Sequence, residues 1–319
     1  MALPRSSDFR ESIYGLSVTA IVPCYNSASY LAETLNSIIA QSYENLCIIA
    51  IDDGSSDDTR RILEKFRECG KIKLLWHEGN CNRGVAATMN LGVEAAESDL
   101  VAFLDHDDLW YPDKIKRQVE VFLQNPEVDL VYTNGDVIDE HGNRKYAILQ
   151  PSHIETNLPE RLLLDCYIKS CSMVMVTRSA LMKVGCFKAH ILTTDHDMWL
   201  RLQESTNLYY LEDRLMAYRV HSTQSSHKRR LWEDGFLILT DAMKRFPYTR
   251  SIRRKRLAVL HYRLAEHDLK NGKRFKTAGN LIMSCFYDPV RSVDYVMTSC
   301  RESMKRFLKK YRHAKVPHS

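Results

Sequence analysis

Long apolar runs are missing from this sequence. No window approaches the ~18 uninterrupted apolar residues of a membrane-spanning helix, and residues 1–9 lack the apolar core of an export signal, so the chain is expected to stay in the cytosol. Closely spaced cysteine pairs are missing too. The nine cysteines are scattered without a single C-x-x-C, and an odd number in a chain without an export signal reads as reduced, mostly buried thiols. Neither a zinc site nor a disulfide framework is expected, and no internal repeat or low-complexity tract interrupts the sequence.

What is present suits a folded enzyme-sized chain. A length of 319 residues with 45% hydrophobic content can bury a substantial core, and it fits one large α/β domain carrying a smaller appendage. The net charge of +5 conceals an uneven distribution. Residues 228–319 hold 23 Lys and Arg against 8 Asp and Glu, a surplus of 15, while the residues before them hold 22 against 32, a deficit of 10. Such asymmetry points to a basic tail that meets an anionic surface.

In the first half, short apolar runs at 18–22, 46–51, 72–76 and 100–104 read as buried parallel strands. Amphipathic stretches lie between them, with Leu31, Leu35, Ile38 and Ile39 on one face and Ile62, Leu63 and Phe66 on another. Strand and helix in alternation predict an open, doubly wound sheet, in which ligands bind beyond the carboxyl ends of the strands. Further on, helices are expected over 112–124, 179–184 and 195–204, and strands over 128–133, 172–177, 208–211 and 215–220, with a turn at His141-Gly142-Asn143. From Arg229 onward the reading is helical and basic, with breaks at Pro247, Gly272 and Pro289. The boundary is expected between Ser222 and Arg230.

Three of the strand ends carry polar clusters. The most informative is Phe103-Leu104-Asp105-His106-Asp107-Asp108-Leu109-Trp110, in which a buried strand runs directly into three carboxylates. Carboxylates so close repel one another unless a cation sits among them, and hard oxygen ligands suit magnesium or manganese bridging a diphosphate; the other reading is a solvated turn with helix-capping aspartates. The second cluster, Asp52-Asp53-Gly54-Ser55-Ser56-Asp57-Asp58, offers Asp52 or Asp53 as acceptor for a nucleobase N–H, and Asp57 or Ser56 as an N-cap. At the third end, Pro23-Cys24-Tyr25-Asn26 brings an aromatic face and an amide; Tyr25 either stacks on a base or packs in the core. Asn82-Arg83-Gly84 adds a cation and a flexible turn, and Asn90 comes next, on the helix after it.

Taken together, Pro-x-Tyr-Asn, Asp-Asp-Gly-Ser, Asn-x-Gly and Leu-Asp-x-Asp-Asp-x-Trp resemble the family 2 glycosyltransferases of GT-A fold over residues 18–226. The resemblance implies an α/β fold with an open, mostly parallel nucleotide-binding sheet, flanking helices and a C-terminal helical extension. It divides the chain into a lead (1–15), a catalytic domain (16–227, donor part to about 110) and the extension (228–319). It implies that Pro23, Tyr25, Asn26, Asp52, Asp53, Arg83, Asn90, Asp105 and His106 serve the nucleotide-sugar, and that Asp107 coordinates Mn2+ or Mg2+.

Two later segments extend the resemblance. Thr193-Thr194-Asp195-His196-Asp197-Met198-Trp199 is similar to the family's Glu-Asp-x-x-Leu-Trp, in which the aspartate is the general base on the acceptor hydroxyl. The matching residue is Asp195, with Thr194 where glutamate is usual. Tyr218-Arg219-Val220-His221 resembles the closing Tyr-Arg-x-His, and His221 is assigned to the metal or a phosphate. The implied reaction is transfer of a sugar, with inversion, from a nucleotide diphosphate, a UDP-sugar favoured, to a glycan or lipid-linked acceptor. No Gln-x-x-Arg-Trp is present, which argues against a processive polysaccharide synthase.

Two other functions remain in play. A sugar nucleotidyltransferase should show a glycine-rich loop after the first strand, and Pro-Cys-Tyr-Asn is not one. A catalytically silent binding scaffold would not require the intact acidic positions. In the tail, Cys300, Met304, Phe307, Leu308 and Tyr311 recur at helical spacing among Arg301, Lys305, Arg306, Lys309, Lys310 and Arg312. This basic amphipathic helix either lies on anionic membrane, making the chain peripheral on the cytosolic face, or packs on its own domain. No recognition motif accompanies the charge, so nucleic acid is not expected as a partner.

Overall fold

A computed structural model describes residues 15–154, 157–222, 224, 228–293 and 297. It divides into two compact units, one ending at Ser225 and the other starting at Ser226.

In the first unit β1 (Val18–Cys24), β2 (Leu46–Asp52), β3 (Lys73–Trp76) and β4 (Leu100–Phe103) pair in parallel in the order β3-β2-β1-β4. Every residue of β1 is buried, as a strand covered on both faces requires. Register places Cys24 beside Asp52 and Asp52 beside Trp76, while Phe103 lies level with Ile21. The residues just past these strands therefore emerge along one edge. Crossover helices α1 (Leu31–Ile39), α2 (Thr59–Glu68) and α3 (Val85–Ala95) complete this half. On α1 the buried residues Leu31, Leu35 and Ile38 recur at helical spacing and Ile39 is exposed. On α3 a Cβ at Gly92 would meet Ile21 Cγ2 at 2.6 Å, so glycine lets this helix pack directly on β1.

Beyond β4 the chain forms β5 (Leu109–Trp110), α4 (Lys114–Gln124), β6 (Val128–Asp139), β7 (Arg144–Ala147), α5 (Pro159–Leu164), β8 (Val174–Thr177), α6 (Arg178–Lys183), α7 (Thr194–Gln203) and β9 (Asn207–Val220). They continue the sheet as β4-β8-β6-β9-β5, with β7 paired to β6. β8 is antiparallel to both β4 and β6, whereas β6 and β9 are parallel. The sheet is thus parallel through its first four strands and mixed after them. The strands expected over 208–211 and 215–220 are one, β9, because the register on β6 jumps from Thr133↔Leu211 to Asn134↔Arg214 and accommodates Glu212 and Asp213 as a bulge. The expectation of mostly buried thiols is corrected: Cys24 and Cys171 are buried, but Cys47, Cys69, Cys81 and Cys285 are exposed.

The second unit contains α8 (Arg230–Arg245), α9 (Arg250–Lys270) and α10 (Arg274–Tyr287), separated near Pro247 and Gly272. Ile238, Leu239, Ala258, Val259, Leu260 and Leu264 form its apolar core. Among the described residues no helix is long and apolar enough to cross a membrane. The amphipathic segment expected from Cys300 to Arg312 lies outside the described residues.

Candidate active site

The sheet edge collects the polar clusters. Asp53, buried just past β2, accepts from the backbone N–H of Arg83 at 2.6 Å and of Gly84 at 2.9 Å, one on each carboxylate oxygen. His77 Nε2 lies 3.6 Å from the same carboxylate. Asp53 thereby ties the loop that opens α3 to the end of β2, which brings the exposed Arg83 to this edge. Gly54 is required between them: its φ is +74°, and a Cβ would meet the backbone of Asn80, Cys81 and Asn82 at 2.8 Å.

The β1 loop docks on the same turn. Asn26, with φ of +49°, donates its backbone N–H to Ser55 Oγ at 3.0 Å and accepts from the Ser56 N–H at 2.8 Å through Oδ1. Asp57 accepts from the N–H groups of Ala28 and Thr59, tying the loop to the first residue of α2, whose N-cap position is Asp58 and not Asp57 or Ser56. Tyr25 projects from this loop and is 46% exposed, which excludes the core-packing reading and leaves its ring available to a flat ligand. Half-buried His106 sits against the Pro23 backbone, and burial holds its imidazole pKa below the usual value.

The acidic turn after β4 has an inner and an outer part. Asp108 is fully buried and accepts from Ser172 Oγ at 2.6 Å, Ser170 Oγ at 3.0 Å and the Arg219 N–H at 2.9 Å. Asp105 accepts from Ser170 Oγ at 3.1 Å and donates its backbone N–H to Ser172 Oγ at 3.0 Å. Desolvation, then the neighbouring charge of Asp107, pushes the Asp105 carboxyl up to about 7, with a further contribution from Asp195. Asp108 is raised by the same burial and by Asp107 and Asp105. Asp107 turns the other way and meets His221 Nε2 at 2.9 Å, while the His221 ring lies tilted against Tyr30 with centroids 5.2 Å apart.

Arg219 fastens this arrangement from beneath. Its fully buried guanidinium donates to the Asp107 carbonyl at 2.9 Å and the Glu140 carbonyl at 3.3 Å, reaches Glu33 at 2.7 Å, and lies 4.6 Å above the Tyr30 ring. The sequence assigns no role to Arg219, Ser170 or Ser172. Arg219 stands inside the Tyr-Arg-x-His segment, which is a signal; the two serines lie in an unremarkable stretch before β8 and carry none.

Asp195 opens α7. Its carboxylate accepts from the His196 N–H at 2.8 Å, desolvation raises its pKa, and its charge is felt by Asp105 and by the buried Cys171 thiol. The helix holds its place through an aromatic cluster in which Trp199, Phe103 and Phe187 are mutually within 6.2 Å. Asp197, two residues on, is fully buried between Arg201 at 2.8 Å and Lys188 at 3.3 Å, so it is committed to holding the helix.

Two assignments are corrected. Asp52 is fully buried, accepts from the Ser55 N–H at 3.0 Å and pairs with Arg60 at 2.9 Å, so it shapes the turn from inside; between the two aspartates, Asp53 is the one at the edge. Asn90 exchanges two hydrogen bonds with the Phe187 backbone, at 2.8 and 2.9 Å, and clamps the loop before α7 instead of lining the crevice.

A parallel half, an acidic turn at its carboxyl edge and a mixed extension that leads to a further carboxylate define the GT-A architecture. The family described as glycosyl transferase family 2 matches residues 19–185, and the chain belongs to it. An uncharacterized glycosyltransferase of Rickettsia conorii is 33% identical over 225 residues, which cover 68% of this chain and 36% of that relative. This chain therefore spans about a third of that relative's length. A UDP-Glc:alpha-D-GlcNAc-diphosphoundecaprenol beta-1,3-glucosyltransferase of Escherichia coli is 27% identical over 264 residues, covering 81% of this chain and 98% of that one. Among solved structures, a mannosyltransferase of Pyrobaculum calidifontis in complex with GDP-Man and Mn2+ superposes with a TM-score of 0.61 at 18% identity, over 93% of this chain and 83% of that one.

Proposed function

We propose that this chain transfers a sugar, with inversion, from a nucleotide diphosphate donor, a UDP-sugar favoured, to a hydroxyl of a lipid-linked glycan. The observation that carries the reading is the pairing of Asp107 with His221 at the donor edge, with Asp105 beside it and close enough to Asp195 to feel its charge. The nucleoside would rest against Pro23 and Tyr25, with Asp53 and Arg83 at its base and phosphates, and Asp105 and His106 toward the ribose and sugar. The relative that uses UDP-Glc and a diphosphoundecaprenol-linked sugar supports both the donor and the acceptor class.

Among the described residues no three His, Cys, Asp or Glu side chains converge as a complete metal cage. Asp107 and His221 do offer one carboxylate and one imidazole within 2.9 Å of each other, side chains that would suit as two ligands of a divalent cation. When bound there, Mn2+ or Mg2+ would neutralise charge on the departing diphosphate.

Asp195 then takes the proton of the acceptor hydroxyl as its oxygen attacks the anomeric carbon. The bond to the diphosphate breaks on the opposite side and the nucleoside diphosphate leaves. Burial that raises the Asp195 pKa improves its match to a proton acceptor working near neutrality. The test is transfer from a panel of UDP-, GDP- and TDP-sugars to a polyprenyl-diphosphate-linked N-acetylglucosamine, with manganese and with chelator. Manganese-dependent product with one UDP-sugar is expected. Nucleotide binding without turnover on any acceptor would favour the silent scaffold, and transfer unaffected by chelator would remove the metal.

A further inference from the structure

In the second unit α10 is amphipathic in the reverse sense. Helix α10 packs on α9 through polar groups: Ser284 Oγ donates to the Ala258 carbonyl at 2.9 Å, and Asn280 reaches His261 at 2.9 Å and Asp268 at 3.2 Å. Its buried residues are Thr277 and Ser284. Several of its apolar residues face outward instead, with Phe275 96% exposed and Ile282 and Phe286 each 68% exposed, whereas Leu281 and Tyr287 are half-buried. These three stand at i, i+7 and i+11 and so share one helix face. Past the break at Asp288 the exposure continues through Val290 at 73% and Val293 at 57%. Apart from Lys276, the exposed residues of α10 after Arg274 carry no charge.

Basic residues frame this face at both ends. Lys273, Arg274 and Lys276 are exposed around Phe275. At the other end Arg254 donates to the Phe286 carbonyl at 3.3 Å, which brings the exposed run Arg253-Arg254-Lys255 beside it. A contiguous apolar surface of this kind in a water-exposed domain marks an interaction site. Its charge decides between occupants. A second copy would set the same cations against each other, and residues 301–319 of this chain hold 7 Lys and Arg against 1 acidic residue, so both are repelled. An anionic lipid surface attracts the frame and accepts the apolar side chains.

We propose that this outer face of α10, from Phe275 to Val293, is an interfacial membrane-docking surface selective for anionic phospholipid. The inference is independent of the sugar and the acceptor. It is tested with the full chain on phosphatidylcholine vesicles made with and without phosphatidylglycerol. The parent is expected to float with the anionic vesicles, and F275E/F286E to lose that partition by at least about tenfold while keeping parental helicity by circular dichroism. A Phe286→Trp variant reports depth, and brominated anionic lipid is expected to quench it. Unchanged flotation of the double variant would overturn the proposal. So would flotation without quenching, which would place the contact elsewhere on the chain, or a parental dimer that F275E/F286E converts to monomer with flotation intact, which would assign the face to a second copy.

Discussion

His221 Nε2 and Asp107 Oδ2 lie 2.9 Å apart although 114 positions separate them in the chain. The contact joins the turn after β4 to the residue just past β9, two strands that have β8 and β6 between them in the sheet. If this pair holds the cation, Asp107→Asn and His221→Ala should each weaken manganese-dependent binding of UDP by at least about tenfold, since even residues behind metal ligands commonly cost that much. Calorimetry with and without manganese measures it. Parental affinity in both folded variants would move the metal elsewhere.

Asp53 uses both carboxylate oxygens on the backbone of Arg83 and Gly84. Asp53→Asn replaces one acceptor by a donor, which faces an N–H and leaves it unsatisfied at a cost of about 1–3 kcal/mol. The α3 entry loop should then loosen, and nucleotide affinity should fall together with thermal stability. A variant that keeps both would detach this loop from the donor site.

Arg219→Met keeps much of the apolar stem and deletes the guanidinium. The Asp107 and Glu140 carbonyls lose their donor and the Tyr30 ring its cation. Glu33 is 56% exposed and stays solvated, so the cost falls on the orphaned Asp107 carbonyl and the lost ring contact, and about 1–3 kcal/mol is expected in denaturant unfolding. A loss below ~1 kcal/mol would show that the turn is held without Arg219.

Much of the fold and site is legible in the sequence because it rests on short-range pattern. Buried runs such as 18–22 and 46–51 name their strands, and a parallel sheet directs attention to the residues just past its carboxyl ends. Asp107, Asp53 and Tyr25 stand out in that way, and His221 through the segment that closes the domain. Asp52 and Asn90 are not resolved because an aspartate facing outward and one turned inward differ only in side-chain direction, which depends on Arg60 and on Phe187, the latter 97 residues from Asn90. β5 and β7 leave no trace for another reason. Two residues make no period, and Arg144-Lys145-Tyr146-Ala147 has no apolar alternation to read.

If Asp195 is the base, the pH dependence of transfer follows its carboxyl, whose pKa burial raises. A base must be ionised, so transfer should be present above the raised pKa and fall with a slope of one proton as pH drops through it, at higher pH than an ordinary carboxylate near ~3.9. Stability runs the opposite way. A carboxyl that holds its proton more tightly folded than unfolded stabilises below the unfolded value, and that contribution is lost as pH rises toward the folded one. Asp195→Asn should therefore be at least as stable as the parent at neutral pH, as read by thermal unfolding across pH.

The same substitution separates chemistry from binding. An acceptor hydroxyl is a poor nucleophile at neutral pH, and a positioned base contributes ~10²–10⁴-fold. Asn is close in size to Asp and retains a carbonyl oxygen for the His196 N–H, so the opening turn of α7 should persist. The decisive measurement is the transfer rate of Asp195→Asn at saturating donor, beside its calorimetric affinity for UDP and manganese. Affinity equal to the parent and transfer lower by roughly 10² or more are expected. Transfer at the parental rate, or donor binding lost together with activity, would contradict Asp195 as the base.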